Sequence, residues 1–179
     1  MFYRLIVSFS LLGFSPFMMA YESAYEKTAV DVIEVKAIPK SRLIETSIEG
    51  EYFDESNGLF KRLFNYIKDN DVSMTIPVEA SVDKAMMRFY LGSDAADDLS
   101  NTDTVIINEL PERTVISVGE RGSYSKENIS ESLEKVKNWI ANQEAWEVNG
   151  EPYTVFWSSP FVPWFLKRYE IHIPVIKVD

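Results

Sequence analysis

Residues 59–78, LFKRLFNYIKDNDVSMTIPV, decide the fold. Phe60, Leu63, Phe64 and Ile67 recur at i, i+3, i+4 and i+7, which puts them on one face of a helix. Lys61, Arg62, Asn65 and Lys68 fall on the other side. Asp69, Asn70 and Asp71 end the helix, because short polar side chains compete for backbone hydrogen bonds. The strand Met74-Thr75-Ile76-Pro77-Val78 follows at once. A proline has no N–H to give a ladder, so Pro77 predicts an edge strand or a bulge. An irregular strand beside an apolar helix is a place where a flat ligand can lie.

Working outward, the pattern occurs twice. Residues 32–50 read VIEVKAIPKSRLIETSIEG, and residues 105–122 read VIINELPERTVISVGERG. Each gives an apolar strand, then Ile38-Pro39 or Leu110-Pro111, then an arginine (Arg42, Arg113), a second alternating strand and a glycine. Helices are predicted over 57–69 and 128–143. The second turns Ile129, Leu133, Val136 and Ile140 inward, with Asn128 or Ser125 as its cap. Closing strands are predicted at 73–82, 86–91, 153–157 and 168–178. The unit is strand, strand, helix, strand, strand, over about 30–91 and again over about 104–178, with the polar stretch 92–104 as linker. One unit leaves a sheet face bare and strand edges exposed. Two units paired about a pseudo-twofold axis close the sheet towards a barrel. The predicted fold is α+β, a distorted eight-stranded antiparallel barrel with two packed helices and a ring-lined crevice open between the halves.

Three stretches carry a family resemblance. The helix with F/L-x-x-L-F-x-Y-I and the following M-T-x-P-V resemble the core signature of the SOUL haem-binding family. Residues 32–39, VIEVKAIP, resemble its opening Y-E-V-R-x-Y-P strand, and residues 157–172, WSSPFVPWFLKRYEIH, resemble its closing segment. The three occur in family order over about 30–175. The resemblance implies the eight-stranded fold and a non-covalent haem or another tetrapyrrole as ligand. It places that ligand against the first helix and the loop before the last strand: Phe60, Leu63, Phe64, Ile67, Met74, Phe161, Val162, Trp164 and Phe165. The helical spacing of Phe60, Leu63, Phe64 and Ile67 by itself points to core packing. The rings at 161–165 flank Pro160 and Pro163, a setting that favours exposure and binding.

Lys61, Arg62, Lys68, Lys167 and Arg168 are placed to meet propionates, or simply to face solvent. An iron ligand is not evident. His172 is the one histidine; it alternates with Ile171 and Ile173 in the last strand, and the spacing predicts a surface or partly buried side chain. Met74, Met86 and Tyr52 are chemically able to ligate iron, but no spacing selects one. Some family members carry a histidine where this chain has Ala37.

With 179 residues and 46% hydrophobic content the chain fits one domain, residues 25–179, with enough apolar mass for a core. Its net charge is −10, and the first twenty residues contribute one arginine and no acid, so residues 21–179 are more acidic still. Such a surface repels nucleic acid and anionic membranes. There is no cysteine, which excludes disulfides, thiolate metal sites and thioether-linked haem. Residues 1–20 read as a signal peptide, with cleavage after Ala20 or as late as Ala24. Their apolar run is short for an uncleaved anchor. An exported protein, periplasmic or extracellular, with no transmembrane span after cleavage, is expected.

Catalytic signatures such as G-x-S-x-G, H-E-x-x-H or a phosphate-cradling glycine loop do not occur, so a non-enzymatic binder is expected. Two other readings stay open. The loop 158–167 suits docking of a protein partner. A binder of cationic amphiphiles would use strand acids, for which Glu34 and Glu170 are available.

Overall fold

The computed structural model describes residues 21–81, 83–159 and 161–178. The expected signal peptide, residues 1–20, lies outside them. The order is β1 (Glu22–Ser23), β2 (Ile33–Ile38), β3 (Ser41–Ser47), α1 (Tyr52–Asp69), β4 (Thr75–Ile76), β5 (Val78–Ser81), β6 (Met86–Tyr90), β7 (Ile106–Leu110), β8 (Arg113–Arg121), α2 (Lys126–Ile140), β9 (Trp146–Val148), β10 (Tyr153–Phe156) and β11 (Arg168–Lys177). A 3-10 turn, Trp164–Leu166, precedes β11.

Eight strands form one curled antiparallel sheet in the order β2-β8-β11-β10-β5-β6-β3-β7. Exchanging each strand of the first repeat for its counterpart in the second (β2 for β7, β3 for β8, β5 for β10, β6 for β11) reads this order backwards. The duplication is therefore built into the ladder, with its axis at the central pair, where Glu79 faces Val155. The outermost strands are traded: β2 pairs with β8 of the second repeat, and β7 with β3 of the first. The sheet ends on β2 and β7, so it is a half-barrel with two edges rather than a closed barrel.

Both helices pack on one face. α1 buries Tyr52, Leu59, Leu63, Tyr66 and Ile67. α2 buries Ile129, Ser132, Val136 and Ile140. They cover a core that includes Ile44, Phe89, Ile116, Val118, Ile171 and Ile173. Burying each large apolar side chain contributes about 1.5–3 kcal/mol. The opposite, concave face carries a smaller cluster of Ile38, Val115, Tyr153, Val155 and Trp157.

Several expectations change. α1 begins at Tyr52, well before residue 57, because Tyr52 is an apolar anchor at 4% exposure and the acids Asp54 and Glu55 suit a helix N-terminus. α2 starts at Lys126, and Ser125 is the cap, its side chain accepting the Asn128 N–H. Pro77 marks neither an edge strand nor a bulge. It stands in the break between β4 and β5, and β5 is central, between β10 and β6. The proline sits outside the ladder, so its missing N–H costs no rung. Arg42 and Arg113 do not match. Arg113 points to the concave face, whereas the Arg42 guanidinium binds the Ala96 and Asp97 carbonyls.

Candidate functional site

Two faces of the molecule gather chemistry, the helix side, with α1 and the loop before β11, and the concave side. On the first, the outer side of α1 presents one patch. Of the four stripe residues, Leu63 and Ile67 are core, but Phe64 is 44% exposed. The buried stripe runs instead through Leu59, Leu63, Tyr66 and Ile67, which rotates Phe60 and Phe64 to its margin. Phe60 is partly buried, edge-on to Phe89 at 5.3 Å, and stacks nearly parallel on Phe64 at 5.8 Å and 15°. Exposed Lys61 and Lys68 lie three and four residues from Phe64, so both flank the ring pair on the helix surface. Met74 packs partly buried against the core.

The loop before β11 presents a separate patch. Phe161 is 95% exposed and Trp164 67%, with Phe165 and Leu166 also exposed; Trp164 and Phe165 meet edge-to-face at 5.7 Å. Lys167 is spent on the Tyr124 ring, 4.9 Å from its centroid. The strand leading to this loop ends beside the first turn of α1, where Phe156 stacks on Tyr52. Phe60 and Phe64 are 8 and 12 residues further along the helix, roughly 12–18 Å at its rise. No aromatic pair among the described residues joins the two patches. Ala37, on edge strand β2, is five strand steps from β6, on the order of 24 Å along the sheet. A histidine there would not reach the Phe60–Phe64 strip, because α1 packs over β6 and β3.

The second surface is the concave face, and the expected open crevice is absent from it. A buried polar network fills it together with the chain before β2. Lys36 Nζ donates to Glu170 at 2.9 Å, and His172 Nε2 donates to the same carboxylate at 2.7 Å. The Tyr153 hydroxyl donates to His172 Nδ1 at 3.1 Å and accepts from Arg113 Nε at 3.1 Å; these hydrogen bonds assign the tautomer. Arg113 Nη2 and the Tyr90 hydroxyl both donate to Glu79 Oε1. Thr28 closes the other end, giving its N–H to Glu170 Oε1 at 2.8 Å.

His172 is thus fully buried rather than superficial, and both ring nitrogens are engaged. Burial holds it below its ordinary range, so it is neutral at pH 7. Burial alone would raise Glu170, but the His172 hydrogen bond and the Lys36 charge outweigh it and hold the carboxyl at about 2. Burial pushes the Tyr90 and Tyr153 phenols far up, so both remain donors. Burial also works against the Arg113 charge, yet Glu79 and the two phenols raise it further above its usual value. Glu79, Arg113, Tyr153 and Tyr25 were not apparent as site residues from sequence. Glu79 alone left a trace, an acid inside the apolar run Val78–Val82.

Two further hollows lie on the helix side. One of about 70 Å³ is between α2 and β10, lined by Ile129, Leu133, Pro152 and Tyr153 among others. A polar one of about 320 Å³ is lined by Glu120, Arg121, Glu131, Lys135 and Tyr169 among others. No group of three or more His, Cys, Asp or Glu able to hold a metal ion occurs among the described residues.

The family described as SOUL heme-binding protein matches residues 19–174. No curated protein sequence matches. Among solved structures, the C-terminal domain of EcmrR superposes with a TM-score of 0.65 at 16% identity, covering 82% of this chain and 98% of that one. The chain spans 58% of EcmrR as seen in its DNA complex. An uncharacterized conserved protein from Listeria innocua superposes with a TM-score of 0.58 at 10% identity, covering 82% and 93%. At such identities the likeness speaks for the fold alone.

Proposed function

The chain belongs to the SOUL heme-binding protein family, and on that premise we propose that it is an exported, non-enzymatic carrier that holds haem or a related tetrapyrrole on the outer face of α1. The observation that carries this reading is the Phe60–Phe64 stack. An exposed phenylalanine, held parallel to a second ring that is itself braced on Phe89, offers a flat apolar wall. A stack fixed by the core loses little freedom on binding. Lys61 and Lys68 are exposed beside it and would pair with propionates. These residues fit a tetrapyrrole held by stacking and charge; they offer no histidine to the iron. Phe161, Trp164 and Phe165 would add to the site only by a movement of their loop toward α1, since they form a separate patch in the structure. The acidic surface disfavours nucleic-acid partners.

Hemin titration of the mature chain tests this. A Soret shift is expected, weakened about tenfold or more by Phe64→Ala, an apolar-contact loss of some 1.4 kcal/mol. Trp164→Ala should weaken it as well. An unchanged Soret band in wild type would sink the function and leave the fold standing.

The exposed run Phe161–Leu166 favours a second reading, docking of a protein partner through the same loop. Capture of a partner that Trp164→Ala abolishes, with no hemin binding, would select it. The acids of the concave face lend little support to a binder of cationic amphiphiles, since Glu79 and Glu170 are already matched by Arg113 and Lys36.

A further inference from the structure

The concave face is filled but not completed. Four of the five buried side-chain polar atoms that lack a hydrogen-bond partner among the described residues gather there: Tyr25 Oη, Glu79 Oε2, Arg113 Nη1 and Trp157 Nε1. Buried polar atoms are nearly always paired, and Glu79 and Trp157 are only 1% and 5% exposed. The Tyr25 ring stands among them, edge-on to Tyr90 at 5.7 Å and to Trp157 at 5.5 Å. It occupies the space without satisfying its neighbours.

The chain around Tyr25 is held unevenly. Residues 21–27 are attached by two rungs to β4, by the Ala24 N–H on the Ile76 carbonyl, by Ser93 on the Glu22 carboxylate, by Lys36 Nζ on the Glu26 carbonyl at 3.0 Å and over the Tyr25 ring at 5.3 Å, and by Lys27 over the Trp157 ring at 5.2 Å. Most of them face solvent. Residues 28–31 are fixed. Thr28 is tied to Glu170, and the Asp31 N–H binds the Gly119 carbonyl at 2.8 Å. The Thr28 and Ala29 carbonyls cross Gly119 so closely that a Cβ there would lie 2.6 and 2.3 Å from them. A largely exposed arm, held by side-chain contacts and two short rungs on a fixed anchor, is the kind of segment that opens locally before the sheet does.

We propose that the concave face is a second ligand site, separate from the α1 surface, that residues 21–27 cover, and that its ligand is a small phenol whose ring takes the place of Tyr25. The ring contacts on Tyr90 and Trp157 accept an aromatic guest by its edges. Arg113 Nη1 has an N–H left to donate, and Glu79 Oε2, which has only the Arg88 guanidinium at 3.7 Å, can still accept; these two groups are neighbours, and one phenolic hydroxyl both accepts and donates. The Tyr25 hydroxyl is itself left without a partner, whereas a free phenol can turn to find one. A net charge is not selected, since Glu79 and Glu170 are balanced by Arg113 and Lys36.

The test is 4-ethylphenol against ethylbenzene, which has the same shape without the hydroxyl, followed by hydrogen exchange and by calorimetry. In wild type, 4-ethylphenol should speed exchange of residues 21–27 several-fold and leave 28–31 unchanged. Tyr25→Ala should bind 4-ethylphenol about tenfold or more tighter than wild type, because the competing ring is gone, and prefer it to ethylbenzene by a similar factor. Hemin binding should be the same in both proteins, so this site and the α1 site fail independently. The proposal is overturned if folded Tyr25→Ala shows no preference for the phenol. It is equally overturned if wild-type amides 23–27 exchange as slowly as those of β8 with and without 4-ethylphenol, a measurement that stands even if the variant does not fold.

Discussion

The two halves share a backbone and differ in their charges. Glu79 faces Arg88 across one ladder and Val155 across the other, and Val155 faces Glu170, so Arg88 and Glu170 occupy matching rungs. By the same register Tyr90 matches His172, and Glu45 matches Gly119. In the first half Arg88 is answered locally by Glu45 at 2.5 Å. In the second, Gly119 can answer nothing, and Glu170 takes Lys36 from the first half. Glu79 of the first half in turn takes Arg113 from the second. Two ion pairs therefore cross the axis in opposite directions. Duplication set the ladder, and divergence of the inward polar residues made each half depend on the other.

Removing a crossing charge should break that dependence most severely. Glu79→Ala removes a fully buried carboxylate and leaves the part-buried Arg113 without its partner, and urea unfolding should register a loss of about 2–4 kcal/mol. Gly119→Ala tests the asymmetry at the next rank. The added methyl meets two carbonyls, so about 1–3 kcal/mol should be lost and the arm before β2 should become open to proteolysis. At the matching position, Glu45→Ala should cost under about 1 kcal/mol, because that pair is partly exposed.

The His172–Tyr90 pair separates the halves by pH. The folded state keeps His172 below its ordinary value of 6.5, so on acidification the unfolded chain takes a proton that the folded one refuses. Stability should fall as pH drops from 7.5 to 5.5, by up to about 1.4 kcal/mol per unit below 6.5. His172→Tyr, which makes the two halves alike, should flatten that dependence. The Glu170 contribution has its own window: it is present above about 4.5 and lost as pH falls from there toward 2. The smallest expected change in stability is at the surface. Phe64→Ala should shift unfolding by no more than about 0.5 kcal/mol, while it weakens hemin binding. Only α1 carries such a ring on its outer side; the exposed positions of α2 are Lys, Glu, Ser and Asn.

The period of α1 and the repeated strand–proline–strand units were readable because both are apolar patterns, and together they imply the eight strands and the two related halves, though not the trading of the outer strands. The concave network was not readable. Alternation in a strand separates two faces but does not say that the polar one is inside a curl, so His172 read as a surface or partly buried side chain and nothing singled out Glu79. Matching Arg42 to Arg113 failed for a related reason: the observed register offsets the halves by an even number, and an odd offset turns a side chain to the opposite face. Of the proposed haem contacts, Phe64 was legible as apolar and helical, but its exposure depends on how Leu59 and Tyr66 rotate the helix. Tyr25 was missed because its stretch has no period at all.

The traded edge strands bear on how fast this chain can reach its native state. Ile33 must find Val118, and Ser41 must find Leu110, before either rim of the sheet is hydrogen-bonded. Neither half offers a self-sufficient nucleus, and such distant pairings close large loops before any energetic return. Refolding from urea should accordingly fall in the slow, millisecond-to-second class typical of strand-rich topologies.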